Sequence, residues 1–467
     1  GVAMAALALA AGCAERSYQP APLDIAATAE RLLARDLGDP ELQAALAANG
    51  ENVAAGWRLR ALTMAAIHFD PTLAAARADW RRHMVAEVSA AQRSNPVVTP
   101  EVAYHTDPEG DDGPWSIGTA IEIPFLPEDK REARIALARA GSEAARLTAV
   151  QLAWRRRAAV RDALVACHRA DSLLGFAGAE IVLHQEMVQI FARRRALGEA
   201  NLTEVNLARR GLDASRGAEA RLRAAAEACR GSLASGLGLP LADVGNLVLD
   251  YGGMMPVDAV AVPSEGMRRA ALLGGLAIRE ALTDYAAAEA GLRLAAANKY
   301  PDVAISPGLF WDQGGLLWAI GGGLTAALLH NNEGPIAEAE AARHAAAQDV
   351  LAVQGGIVAA LADADARLAA ARVEIVAADA LLERRRERLD VAERRLQGGD
   401  VGRLEVTEAR LAVREAESAV LAARLALIGV QARYEDAIGL PLIGRRAPPL
   451  DLEALALREP GWNGGTR

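Results

Sequence analysis

Apolar residues recur every seven positions along two very long stretches of this 467-residue chain. Leu361, Leu368, Ile375, Leu382, Leu389 and Leu396 form one series. Val406, Val413, Val420 and Leu427 form another, with Ala409, Ala416, Ala423 and Val430 between them. Seams of this kind, with small residues at alternate sites, predict coiled-coil helices that approach closely. The helical pattern runs from Glu128 to about Ala196 and again from Glu333 to about Gln397. Its only proline is Pro335, in a first turn where proline is tolerated. At 1.5 Å per residue each helix would be roughly 100 Å long. Ahead of each lies a different period. Trp115, Ile117, Ile121, Ile123 and Phe125 share one face at period two, as do Val98, Val102 and Tyr104 just before them. Val303, Ile305, Leu309 and Trp311 repeat the pattern, followed by Trp318, Ile320, Leu324 and Leu328. The prediction is four strands, each of about ten residues, the length that crosses a bilayer when tilted.

The elements come in two copies. Gly238-Leu239-Pro240-Leu241 returns as Gly439-Leu440-Pro441-Leu442, 201 positions later, and the turn glycines Gly198 and Gly399 keep the same offset. A unit of this length is a duplicated domain rather than a solenoid repeat. The chain divides into residues 1–13, an export signal ending in a cysteine, and 14–52, a tether and lead-in helix (Ile25 to Ala48). The first repeat occupies 53–241: a helix from Val53 to Gln92, two strands, a long helix, a turn and a helix. A linker (242–264), the second repeat (265–442) and a flexible carboxy-terminal tail (443–467) complete it. The predicted fold class is mainly α with a small β part.

Composition fits long packed helices: alanine, leucine, glutamate and arginine dominate, and only 4% of residues are aromatic. A net charge of −9 leaves no basic face for nucleic acid. Beyond the amino terminus, the longest uncharged apolar run is Leu316 to Leu329, shorter than the ~20 residues of a spanning helix, so no membrane helix is expected. Val2 to Ala11 reads as an apolar export segment. Ala10-Ala11-Gly12-Cys13 resembles the lipobox at which bacterial lipoproteins are cleaved and acylated on the cysteine, with Ala10 where leucine is usual. The alternative is a buried apolar stretch ending in a free Cys13. Four strands cannot close a barrel in lipid, so several chains must share one; two would give eight strands and a filled lumen, three would give twelve and a pore.

Three further stretches carry a resemblance. Ser94-Asn95-Pro96 precedes the first strand, Lys130-Arg131-x-Ala133-Arg134-Ile135 opens one long helix, and Asn331-Asn332-Glu333-Gly334-Pro335-Ile336-Ala337-Glu338-Ala339 opens the other. With the duplication, they resemble the TolC-type outer-membrane efflux channels from Leu59 to Leu442, and most of all the CzcC-like heavy-metal subgroup. Asp129 stands where that subgroup has glycine before the lysine, and its proline near Ala327 is missing. The resemblance implies a homotrimer with a twelve-stranded barrel in outer-membrane lipid, continued by a periplasmic helical tunnel. It also implies a periplasmic adaptor (membrane fusion protein) and an inner-membrane RND pump as partners. The tips at Gly198 and Gly399 would then meet the adaptor and close the tunnel. Two acids six and nine positions after the second tip glycine match Glu405 and Glu408, a gate of six carboxylates in a trimer. Leu207 stands opposite Glu408 in the first copy. The plainer reading of both acids is stabilisation of a helix amino terminus.

No phosphate loop, HExxH, nucleophile elbow or CxxC is present, so no enzyme and no cofactor are expected. His68, His83, His105, His168, His184, His330 and His344 are scattered, against a metal site. The arginine runs Arg193 to Arg195, Arg384 to Arg386 and Arg394 to Arg395 either latch neighbours or line solvated helix faces. Cys167 and Cys229 lie at equal distances before and after Gly198, hence at one height of a hairpin. They form either a disulfide, permitted in an oxidising periplasm, or two small buried thiols. A coiled-coil adaptor or scaffold lipoprotein of the periplasm is the alternative function; it would lack the paired strands.

Overall fold

The computed structural model describes residues 18–106, 113–252, 254, 262–312, 314–325, 331–443 and 451–458. Cys13 and the export segment lie outside them. The lead-in expected as one helix is two, α1 (Ile25–Leu33) and α2 (Pro40–Ala48), because Asp39 accepts from the Leu42 N–H at 2.9 Å and Pro40 restarts the helix. The helix expected from Val53 to Gln92 is also split, into α3 (Leu59–Phe69) and α4 (Pro71–Ala91). Asp70 is the reason: its carboxylate caps the Thr72 N–H at 2.8 Å, and Pro71 cannot donate back into α3.

Strands β1 (Val97–Tyr104), β2 (Trp115–Phe125), β3 (Asp302–Asp312) and β4 (Gly315–Thr325) form one antiparallel sheet in chain order, so β1 and β4 have free edges. Residues directly opposite share a face. Register therefore joins Val102, Ile117, Trp311 and Leu316 across all four strands, and Tyr104 meets Trp115 edge to face at 4.9 Å. These apolar side chains are exposed in the single chain. The opposite face is mostly small or polar, with Val97 and Leu317 as apolar exceptions, and the Phe310 ring lies over Gly118 and Gly308, filling the space a Cβ would need.

β2 runs into α5 (Glu128–Ala196), which turns at Gly198 and returns as α6 (Leu202–Leu237), capped by Gly238. After α7 (Leu241–Gly245), the second copy begins with α8 (Glu265–Gly274) and α9 (Leu276–Ala297). β4 precedes α10 (Glu333–Gly398), and beyond Gly399 the chain returns as α11 (Arg403–Ile438). The heptad residues Leu361, Leu368, Leu382, Val406, Val413, Ala416, Val420 and Ala423 are buried as the seams require. Packing runs α6 on α5, α5 on α11, α11 on α10, which leaves α6 and α10 on opposite flanks. One stretch of α10 is long and apolar enough to cross a membrane, contrary to the expectation from uncharged runs; its alanine and valine content raises hydropathy while its seam packs on α11.

The two copies are fastened by a buried ionic clasp. Arg157 of α5 donates two hydrogen bonds of 2.9 Å to Glu435 of α11; Arg161 donates to Glu435 at 3.0 Å and to both oxygens of Asp436. Glu435 is 0% exposed and also accepts from the backbone N–H groups of Leu442 and Ile443. Of the tail expected to be flexible, Leu452–Leu457 is instead a docked helix, α12. Leu452 and Ala456 are buried, and Arg77 of α4 donates to the Ala456 carbonyl at 2.6 Å.

Candidate functional site

Each hairpin tip reverses at a glycine with φ of +78°, a conformation in which any Cβ is strained. Beyond the glycine the two tips differ. In the first tip Asn201 caps α6: its side chain accepts from the Glu204 N–H at 2.9 Å, and the Glu204 carboxylate accepts from the Asn201 N–H at 2.7 Å. This reciprocal capping box occupies Glu204. Gly402 holds the equivalent position in the second tip and offers no side-chain cap. Glu405, the counterpart of Glu204, reaches across the turn instead and accepts from Arg395 at 2.9 Å. Its partner was invisible to spacing along one helix, because it arrives from the antiparallel neighbour.

Glu408 is exposed one turn further along α11 and has no ion-pair partner among the described residues. It borders a cleft of about 560 Å³ floored by Val391, Ala392, Ala409 and Ala412, with Arg385 and Arg388 on its rim. The corresponding Leu207 of the first tip is 63% exposed. The arginine runs divide their work: Arg194 approaches Glu199 at 3.8 Å, Arg394 pairs with Asp390 within α10, and Arg386 lies 3.5 Å from Glu417 of α11.

Cys167 and Cys229 lie at one height, with Cα atoms 5.2 Å apart and the sulfurs joined as a disulfide. Nearby, Tyr251 stacks on His168 and donates to Asp171 at 2.5 Å. At the sheet end of α5, Lys130 is buried and donates to the Tyr300 carbonyl at 2.8 Å and to Asp302 at 2.7 Å, tying helix to strand. Asn332 adopts φ of +58° at the start of α10 and donates to the Ala295 carbonyl. Both residues belong to the stretches that carried the sequence resemblance, and both sit where strand becomes helix. Among the described residues no three His, Cys, Asp or Glu side chains converge on one point.

No protein-family model and no curated protein matches the chain. Solved structures do. The outer membrane protein VceC of Vibrio cholerae superimposes with a TM-score of 0.67 at 18% identity, covering 82% of this chain and 96% of that one. This is the TolC-type outer-membrane channel fold. The outer-membrane channel OprN is similar to this chain with a TM-score of 0.64 at 21% identity, over 92% of this chain and 98% of that one. The MtrE outer membrane channel of Neisseria gonorrhoeae, an open-state structure, gives 0.59 at 19% identity, over 84% and 91%.

Proposed function

We propose that the chain is the outer-membrane conduit of a tripartite efflux assembly. It works as a homotrimer with a periplasmic adaptor and an inner-membrane RND pump. The observation that carries this reading is the sheet: apolar on one exposed face, free at both edges, and continuous with helices of 69 and 66 residues. In lipid a free edge leaves backbone groups unpaired, so closure has to come from further copies. Three copies supply twelve strands and a lumen, and bring α10 of each chain against α6 of the next. The similar structures named as outer-membrane channels support the same reading.

The conduit is passive, with the energy supplied by the pump. Metal cations are the cargo favoured by the CzcC-like stretches at Ser94, Lys130 and Asn331; other small molecules suit the same tunnel. Cys13 would add a lipid anchor in the outer membrane. Glu405 and Glu408 of three copies would ring the periplasmic aperture, and because Arg395 neutralises Glu405, Glu408 supplies most of the field that draws cations. The purified protein is expected to run as a heat-resistant trimer on gels and to conduct cations in planar bilayers. A monomer that inserts into no bilayer would overturn the reading in favour of a periplasmic adaptor.

A further inference from the structure

His184 lies on α5, 14 residues before Gly198, and faces Gly211 of α6, 13 residues after it. At 1.5 Å per residue this is roughly 20 Å above the tip. The fit is close: a Cβ on Gly211 would come within 3.0 Å of the imidazole Nδ1 and Cε1. Nδ1 is buried and has no hydrogen-bond partner. A buried polar atom left unpaired costs stability and calls for an explanation. Charge reaches the ring from α11. Glu415 of α11, 16 residues after Gly399, acts on it, and Glu180 stands one turn back on α5 and also feels Glu415. α6 meets the ring with Gly211. The second hairpin has Arg385 and Ala412 at the equivalent positions, so this arrangement belongs to the first hairpin alone.

We propose that His184 is an acid-sensitive release where the two hairpins meet: protonation of its half-buried ring loosens the seat of α11 against α5. Burial disfavours the imidazolium and lowers the His184 pKa, an effect Glu415 only partly offsets. A histidine with a lowered pKa supports the packed state above about pH 6.5, and that support is lost as pH falls below it. Glu180 works in the opposite sense. Its pKa is raised, by burial first and by Glu415 second, so its ionised form burdens the packed state at neutral pH. Protonation of Glu180 lifts that burden as pH falls through its raised value, so it opposes the loss from His184. The proposal deepens the conduit reading, for loosening this junction would free the tips to part.

The test reads the junction directly. Hydrogen exchange of the segments around His184 and Glu415 is measured on the purified full-length protein at about pH 7.5 and about pH 5.5, corrected for intrinsic rates. Protection is expected to fall by about threefold or more in acid. His184→Phe, which keeps a ring against Gly211, and His184→Gln should both abolish the difference. Glu415→Gln removes the carboxylate that eases protonation and should enlarge it. A wild-type protein without the acid response, or variants that retain it, would overturn the proposal. Conductance recorded at the same two pH values separates the two readings: an acid response in exchange from a protein that never conducts rejects the conduit and leaves the release standing.

Discussion

Hairpin 1 (α5 with α6) and hairpin 2 (α10 with α11) place different chemistry at the same heights. Where Cys167 and Cys229 bond in the first, the positions 201 further on are Leu368 and Val430, both buried in an apolar cluster. Five ion pairs cross hairpin 2 among the described residues: Arg395 with Glu405, Arg410 with Glu393, Arg386 with Glu417, Arg424 with Asp379 and Arg433 with Asp363. Between α5 and α6 the described residues make none. The first tip is closed by a capping box and the second is left uncapped. A duplicated backbone thus tolerates two sets of fastenings, one covalent and local, the other ionic and open to salt. Exposed pairs contribute roughly 0–1 kcal/mol each, so hairpin 2 should loosen first as ionic strength rises.

The clasp between the copies offers the largest effect. Glu435→Gln leaves Arg157 without a carboxylate in the interior, while Arg161 keeps Asp436, and loss of one partner of a buried pair costs about 3–5 kcal/mol. Denaturant unfolding should register that loss. Burial alone would raise the Glu435 pKa, but the hydrogen bonds and charge of Arg157, the Ile443 N–H and Arg161 outweigh it and hold it below 4.5. Its stabilisation is therefore present above pH 4.5 and fades as pH falls through the lowered value, a dependence the variant should lack. The positions matching Arg157 and Arg161 in the second repeat are Val358 and Ala362. A trimer would thus seal its inter-chain joint without an ionic clasp.

Next in size is the disulfide. Cys167→Ser with Cys229→Ser, or reduction of the wild type, should cost about 2–4 kcal/mol and act on hairpin 1 alone. The sharper form of the experiment borrows the other copy's solution: Cys167→Leu with Cys229→Val should recover much of the loss. Failure of both pairs to differ in melting temperature would mean that the two fastenings are not equivalent devices.

The outlines of this comparison were legible in the sequence. Heptad seams marked both helices of hairpin 2, and β2 and α5 begin and end where the pattern places them. Splits at Asp70 and Asp39 were missed because the apolar pattern continues across them; the Asp-Pro pairs were the available signal. The clasp was missed for a different reason. Arg157, Arg161 and Glu435 look like solvated charges in sequence, and only the meeting of α5 with α11 buries them together. Arg395 escaped likewise, since helix-spacing rules see one helix at a time.

At the tips the expected effects are functional. Glu405→Ala with Glu408→Ala should lower single-channel cation conductance, on the order of twofold. Glu408→Ala alone should account for most of it, because Arg395 already neutralises Glu405. Unchanged conductance and selectivity would remove the gate from consideration.

The smallest effect tests the cap itself. Gly402 has φ −91° and ψ 166°, extended backbone that asparagine adopts readily, and nothing lies within 4 Å of the Cβ position. Gly402→Asn should therefore recreate the first tip's box, adding a few tenths to about 1 kcal/mol to the first turn of α11. Glu405 would turn back to the new cap and release Arg395. The reverse change, Asn201→Gly, should free Glu204 towards Arg194, whose present partner is Glu199. Hydrogen exchange at the two helix starts should slow in the first variant and quicken in the second. If neither moves, the difference between the tips lies in their charges rather than in how firmly each helix begins.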